Sequence, residues 1–267
     1  MIDIDGFKEY LYEDEVSENT IDSYITGVKK YAAMFDEVTK ANLIEFKKAL
    51  LEKFKPKTVN SRITAMMRYC QYKKIPIKLK QVKEQKQTHV DNIISEEQYE
   101  RLLKGLEDDG NLRYIVFIKL LAKTGMRISE ALRVTKKDVL NGSVTMFSKG
   151  HMRTIYFPES LVADMGDYME GLDDADHIIC TAKTRKPMTS RGMSQALQDF
   201  AVRYDIPKEV MHPHAFRHFF AIEFLKRNNN IALLADLLGH SGVNITQIYL
   251  RQSQEQQQDA VNKAVNW

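Results

Sequence analysis

The chain has 267 residues, 43% hydrophobic and 28% charged with a net charge of +3, proportions of a soluble globular protein that exclude collagenous, disordered and disulfide-scaffold classes. No run approaches 18 apolar residues and the N-terminus is acidic, so neither a membrane span nor a secretory leader is expected and the protein is expected in the cytoplasm. Cys70 and Cys180 stand far apart with no CxxC, which predicts two reduced thiols and no cysteine-based zinc site.

Residues 1–75 carry helical periodicity and predict a bundle of about four helices. Ser17 is a candidate N-cap before Ile21, Tyr24, Ile25, Val28, Tyr31 and Ala32. Thr39 is a candidate cap before Leu43, Ile44, Phe46 and Leu50. Pro56 breaks the pattern, and a further helix follows through Ile63, Met66, Met67 and Cys70. From Leu51 to Val90 the chain holds eleven Lys/Arg against two acids, about +9, so everything else sums to −6. Such a concentration is the footprint of a nucleic-acid-binding face, although a solvated helix face followed by a polar linker has the same composition. Candidate DNA contacts are Lys57, Asn60, Arg62 and Arg68 on the helix, then Lys78, Lys80, Lys83 and Lys86 beyond it. Of these, Asn60 and Arg62 are the candidates for reading bases.

Residues 76–93 read as a basic, aperiodic interdomain linker. Ser95 with Gln98 then resembles a capping box opening a helix through Tyr99, Leu102, Leu103 and Leu106. Another helix runs through Tyr114, Phe117, Ile118 and Leu121, and a short one covers Ile128 to Val134. Near Asn141 the period changes to two: Val144 and Met146, then Ile155 and Phe157, flank a Ser-Lys-Gly-His loop and predict a β-hairpin around Lys149. Helical patterns resume after Pro158. The expected fold is therefore mainly α with a small antiparallel sheet, divided into residues 1–75, a linker 76–93 and a second domain 94–267.

Four segments of the second half carry chemistry: Thr124-Gly125-Met126-Arg127-Ile128-Ser129-Glu130, the Lys149 hairpin, His212 to His218, and Leu238-Gly239-His240 with Tyr249 beyond. Four histidines within 29 residues invite a metal site, but His214 and His218 lack the glutamate of HExxH and have an arginine between them. There is no GxSxG elbow, GxxxxGK[ST] loop or GxGxxG turn. Two arginines, a lysine, histidines and a tyrosine do suit a phosphodiester. Guanidiniums grip nonbridging oxygens, histidine and lysine move protons without a metal, and a phenol serves as nucleophile.

In order, interval and context these segments resemble the tyrosine recombinase, or phage integrase, family. Its pattern is an arginine in TGxRxxE, a hairpin lysine, HxxR, a histidine after LG, and a tyrosine nine residues beyond. These fall here on Arg127 with Glu130, Lys149, His214 with Arg217, His240 and Tyr249. The resemblance implies a helical core-binding domain followed by a catalytic domain. In it, Tyr249 forms a 3′-phosphotyrosine, Arg127 and Arg217 stabilise the phosphate, Lys149 protonates the leaving 5′-oxygen, and His214 is the general base. His240 donates to the phosphate, and Glu130 orients its neighbours. It implies no metal, ATP or organic cofactor, and a double-stranded DNA partner with paired core sites. It further implies a homotetramer in the synaptic complex from a monomer in free solution, without membrane association.

The bundle begins so near Met1 that no separate arm-binding domain is expected. His212 and His218 stand outside the pattern, and Asn228-Asn229-Asn230 replaces a tighter glycine turn. A topoisomerase IB-like relaxing enzyme and a noncatalytic DNA-binding regulator are the alternatives. After Tyr249, Ala260, Val261, Ala264 and Val265 form an apolar stripe that either folds back on its own domain or, as the resemblance implies, docks on a neighbouring protomer.

Overall fold

The computed structural model describes residues 2–84, 92–148, 151–239, 246, 249 and 262. The chain divides into two compact units, residues 1–86 and 87–267.

The first unit contains α1 (Ile4–Glu13), α2 (Glu18–Ala32), α3 (Lys40–Lys53) and α4 (Pro56–Tyr72). Asp3 accepts the Gly6 N–H at 3.0 Å to start α1, and Thr39 accepts that of Asn42 at 3.1 Å to start α3. Pro56 sits in the first turn of α4, where its missing N–H removes no intrahelical bond. Ser17 occupies the N-cap position of α2, but its hydroxyl pairs with Thr20 Oγ1 at 2.9 Å instead of capping the backbone.

Phe7, Leu11, Ile21, Val28, Tyr31, Leu43, Phe46, Leu50, Ile63, Met66 and Cys70 make the buried core of this unit. Gly27 lets α2 lie close to α4, since a Cβ there would be 2.8 Å from that of Ala65. Ile44, assigned by periodicity to the apolar set, is exposed; Leu43, Phe46 and Leu50 already complete the i, i+3, i+7 stripe without it.

The segment after Ile75 differs from the aperiodic linker expected. Ile77, Leu79 and Val82 pack against the first core while Lys78, Lys80 and Lys83 face solvent. An extended segment with no sheet partner leaves its peptide groups unpaired, and side chains from the helices satisfy them. Lys40 donates to the Lys78 carbonyl and Lys47 Nζ to that of Lys80 at 2.6 Å. Asn60 brackets Val82, donating to its carbonyl at 3.0 Å and accepting its N–H at 2.8 Å.

The second unit opens with α5 (Glu96–Asp108), where Ser95 and Gln98 form the expected reciprocal capping box. Then come α6 (Leu112–Thr124), α7 (Ile128–Ala131) and α8 (Lys136–Leu140). Strands β1 (Ser143–Ser148) and β2 (His151–Tyr156) form the expected antiparallel hairpin, with Val144 opposite Ile155 and Met146 opposite Arg153. It is followed by α9 (Glu159–Asp164), α10 (Gly166–Glu170), α11 (Ser190–Arg203), a 3-10 turn at Lys208–Val210, α12 (Pro213–Arg227) and α13 (Ile231–Leu238). Phe117, Leu121, Met126, Ile155, Leu161, Ile179, Leu197 and Phe216 belong to one core that joins the hairpin to the helices. The asparagine run has a local explanation: Asn228 Oδ1 accepts the Asn230 N–H at 3.0 Å, and Asn230 caps α13 through the Leu233 N–H at 3.0 Å. Among the described residues no helix is long and apolar enough to cross a membrane.

Candidate active site

Two left-handed glycines shape the site. Gly125 (φ +61°) ends α6 and turns the chain into Arg127, while Gly239 (φ +61°) ends α13. A Cβ on Gly125 would lie 2.4 Å from Phe220 Cδ1, and one on Gly239 would lie 2.7 Å from Arg153 Cδ. Both positions therefore need glycine for backbone conformation and for close approach.

Arg217, on the inward face of α12 and 2% exposed, joins these two turns. Its Nη1 donates to the Gly125 carbonyl at 2.7 Å and its Nη2 to that of Leu238 at 2.5 Å. Arg127, at the N-cap of α7, reaches the neighbouring Gly239 carbonyl through Nη2 at 3.3 Å. Two guanidiniums from different helices thus meet at the C-terminal end of α13, where unpaired carbonyls attract cations. Burial first, then repulsion from Arg127 and Arg153, lowers the Arg217 guanidinium to about 9, with Glu130 and Tyr249 acting in the opposite sense. It remains charged at neutral pH.

Glu130 is wholly buried beneath them. Its carboxylate accepts the Arg127 backbone N–H at 2.6 Å and Arg127 Nη1 at 2.9 Å, and lies 3.0 Å from Arg153 Nη2. Burial alone would raise its pKa, but the Arg127 N–H and the charges of Arg153 and Arg127 outweigh it and hold the carboxyl below the usual glutamate range. Glu130→Gln should therefore destabilise the protein by about 3–5 kcal/mol at pH 7, because the buried guanidiniums lose their counter-charge. The stabilisation is present above the ordinary glutamate pKa of 4.5 and is lost as pH falls through the lowered folded value. Thermal unfolding of both proteins should thus show a gap that narrows as the pH drops below about 4.5. A gap of constant size down to acid pH would show that the charge of Glu130 is not what stabilises.

Arg153 was not singled out from the sequence. It is 6% exposed, and apart from the ion pair with Glu130 its guanidinium finds no hydrogen-bond partner among the described residues. A signal existed: Ile155 in β2 and Phe157 just beyond it face inward, and stepping back by two along the same alternation lands on Arg153.

His212, one of the extra histidines, caps α12 by accepting the Ala215 N–H on Nδ1 at 3.1 Å, and Pro213 fills the first turn. His214 is exposed on that turn, and its ring meets the edge of His218, one turn on, at a centroid separation of 5.4 Å. His218 Nδ1 is 2.6 Å from the Tyr249 hydroxyl. The tyrosine ring packs on the small cluster of Ala221, Leu225, Leu234 and Leu238 with Phe220 and Phe224. Burial raises the Tyr249 phenol above its ordinary value, and the Arg217 charge offsets this only in part. Among the described residues no three His, Cys, Asp or Glu side chains gather as a metal-ligand group. Lys149 and His240 lie outside the described residues.

In the first unit the candidate DNA contacts fall into different situations. Lys57 and Arg62 border a shallow depression with Asn19, Asp22, Ser23 and Thr26, and the Arg62 guanidinium lies 5.8 Å from the Phe54 ring. Arg68 is ion-paired with Asp14, bonded to Gln71 at 2.7 Å and set over the Tyr10 ring at 5.6 Å. Lys78, Lys80 and Lys83 are exposed, and Lys86 lies outside the described residues. Asn60 requires correction as a base reader. It is 8% exposed, and its amide is committed to Val82 and to Glu84 Oε1 at 2.7 Å, because a buried amide must find partners and the docked 77–82 segment supplies them.

The model of the phage integrase family matches residues 92–256. The tyrosine recombinase XerA of Pyrococcus furiosus is 24% identical over 98% of this chain and 93% of its own length. XerC of Staphylococcus aureus is 31% identical over 64% of this chain and 60% of its own. Among solved structures, the XerH site-specific recombinase in a post-cleavage complex with a difH substrate matches with a TM-score of 0.72 at 20% identity, covering 93% of this chain and 80% of that one. The Tn1549 transposon integrase with transposon right-end DNA gives 0.70 at 18% identity, covering the whole of both chains.

Proposed function

The chain belongs to the phage integrase family and is a tyrosine-type site-specific DNA recombinase, and on that premise we propose how its residues divide the work. Tyr249 attacks the scissile phosphate, forming a 3′-phosphotyrosine and releasing a 5′-hydroxyl. Arg127 and Arg217 stabilise the charge that develops on the nonbridging oxygens, where preorganised donors contribute most. Lys149 protonates the leaving oxygen, His214 is the general base of the family pattern, His240 donates to the phosphate, and Glu130 fixes Arg127 from behind. The observation that carries this reading is the meeting of Arg127 and Arg217 at the end of α13, with the charge of Arg217 acting on the Tyr249 phenol.

The basic first unit supplies phosphate contacts through Lys57, Arg62, Arg68, Lys78, Lys80, Lys83 and Lys86, and the protein acts on duplex DNA in the cytoplasm. The test is to quench cleavage with detergent, digest the trapped complex and locate the nucleotide. It should sit on Tyr249, and DNA carrying two sites should exchange strands. A nucleotide on another residue would refute the assignment.

Recombination of two sites further calls for a tetramer, and the tail after Tyr249 is the segment proposed to link protomers head to tail. Its stripe lies outside the described residues, which in this tail include only Asn262. Deleting residues 259–267 should leave melting temperature and single-site binding intact while assembly on two sites is lost. A large fall in melting temperature with normal assembly would show instead that the tail belongs to its own core.

A further inference from the structure

His218 has no part in the family pattern that led to the site, yet it touches the reacting atom. Resting on the reading of Tyr249 as nucleophile, we propose that His218 is the catalytic residue that accepts the Tyr249 proton during cleavage and returns it during rejoining.

Its position follows from local structure. His212 and Pro213 pin the first turn of α12, Arg217 anchors the next turn to Gly125 and Leu238, and His218 follows directly on that clamped backbone. Its Nδ1 lies 2.6 Å from the Tyr249 hydroxyl, within the reach required of a general base. The tyrosine ring is held in turn by Phe220, Phe224 and the aliphatic residues of α12 and α13, so the contact joins two fixed groups. Burial holds the Tyr249 phenol above its ordinary value, with the Arg217 charge only a partial offset, so losing its proton calls for a placed acceptor. The imidazole supplies one when Nδ1 is the unprotonated nitrogen.

The step balances. The Tyr249 O–H bond breaks as its oxygen bonds to phosphorus, and the proton passes to His218 Nδ1. The bond from phosphorus to the 5′-oxygen breaks, and that oxygen takes a proton from Lys149. Rejoining runs the same transfers backwards. This assigns to His218 the role that the family resemblance gave to His214, whose ring meets the edge of His218 one turn away.

The experiment uses His218→Asn, because the asparagine oxygen sits near the place of Nδ1 and keeps an acceptor without keeping a base. Single-turnover cleavage of a normal site should fall by at least about 10²-fold, the scale of losing a positioned general base, with single-site binding unchanged. Placing 3-fluorotyrosine at position 249 lowers the acidity barrier of the nucleophile and should restore much of the loss. A substrate with sulfur as the 5′ leaving atom should not restore it, whereas the same substrate should rescue Lys149→Ala, whose defect lies in protonating the leaving group. Should His218→Asn bind DNA poorly, the same two rescues are read in His218→Gln. The proposal is overturned if the variant cleaves at the wild-type rate or faster, if fluorotyrosine gives no rescue, or if the sulfur substrate does. Tyr249→Phe runs alongside: adducts in that variant would mean that the nucleophile, and not the base, is misassigned.

Discussion

Tyr249→Phe should abolish the covalent protein–DNA adduct and leave site-specific DNA binding unchanged. The substitution removes one oxygen and nothing else. The ring stays packed on Ala221, Leu225, Leu234 and Leu238 with Phe220 and Phe224, so no cavity opens and the fold has no reason to relax. What disappears is the 2.6 Å contact with His218 and the only atom of that side chain able to bond to phosphorus. Because the nucleophile is absent and not merely weakened, the expected loss is complete, in contrast to the graded loss from removing a stabilising donor. Gel shift on a single site and detergent-resistant adduct formation on the same preparation separate the two properties. Persistent adducts would move the nucleophile elsewhere.

Arg217→Ala should slow single-turnover cleavage by at least about 10²-fold, the scale of removing one preorganised transition-state donor. A guanidinium has five N–H groups, and the Gly125 and Leu238 carbonyls engage both of its terminal nitrogens while leaving further N–H groups and the positive charge for a phosphate. One side chain therefore holds the α6 and α13 turns in place and, in the proposed mechanism, also serves the phosphate. Truncation leaves two buried carbonyls unpaired, at about 1–3 kcal/mol each. Repulsion from Arg127 and Arg153 is relieved at the same time, so the net fall in stability should be smaller than that sum. Arg217→Lys tests the division of labour: it keeps the charge, but a single ammonium cannot reproduce the planar fork, so cleavage should stay low even where folding recovers. Full cleavage by either variant would refute the phosphate clamp.

The basic first unit was visible as charge, but its details were not. Lys78, Lys80 and Lys83 read as part of a polar linker because a run of lysines conceals alternation in any sliding view. In the folded unit Ile77, Leu79 and Val82 find an apolar surface, and the lysines between them are turned outward as a consequence. Asn60 reads as a polar residue on a basic helix, hence as a base contact. Only the arrival of that same segment, 22 residues later, shows that its amide is occupied.

What the sequence determined by itself was whatever depends on neighbours a few residues apart. The Ser95–Gln98 box, the Thr39 cap, the two-residue period of the hairpin and the short motifs around Arg127, Arg217 and Tyr249 are local patterns, set by helix and strand geometry and by the backbone demands of glycine and proline. The tertiary structure alone decided which of these groups touch. Arg127 meets Gly239 across 112 residues and His218 meets Tyr249 across 31, and no periodicity spans such distances. The same holds for charge: Arg153 is an ordinary arginine in the sequence, and it becomes part of the site only because the hairpin packs it, buried, against Glu130, where a cation without a counter-charge could not remain.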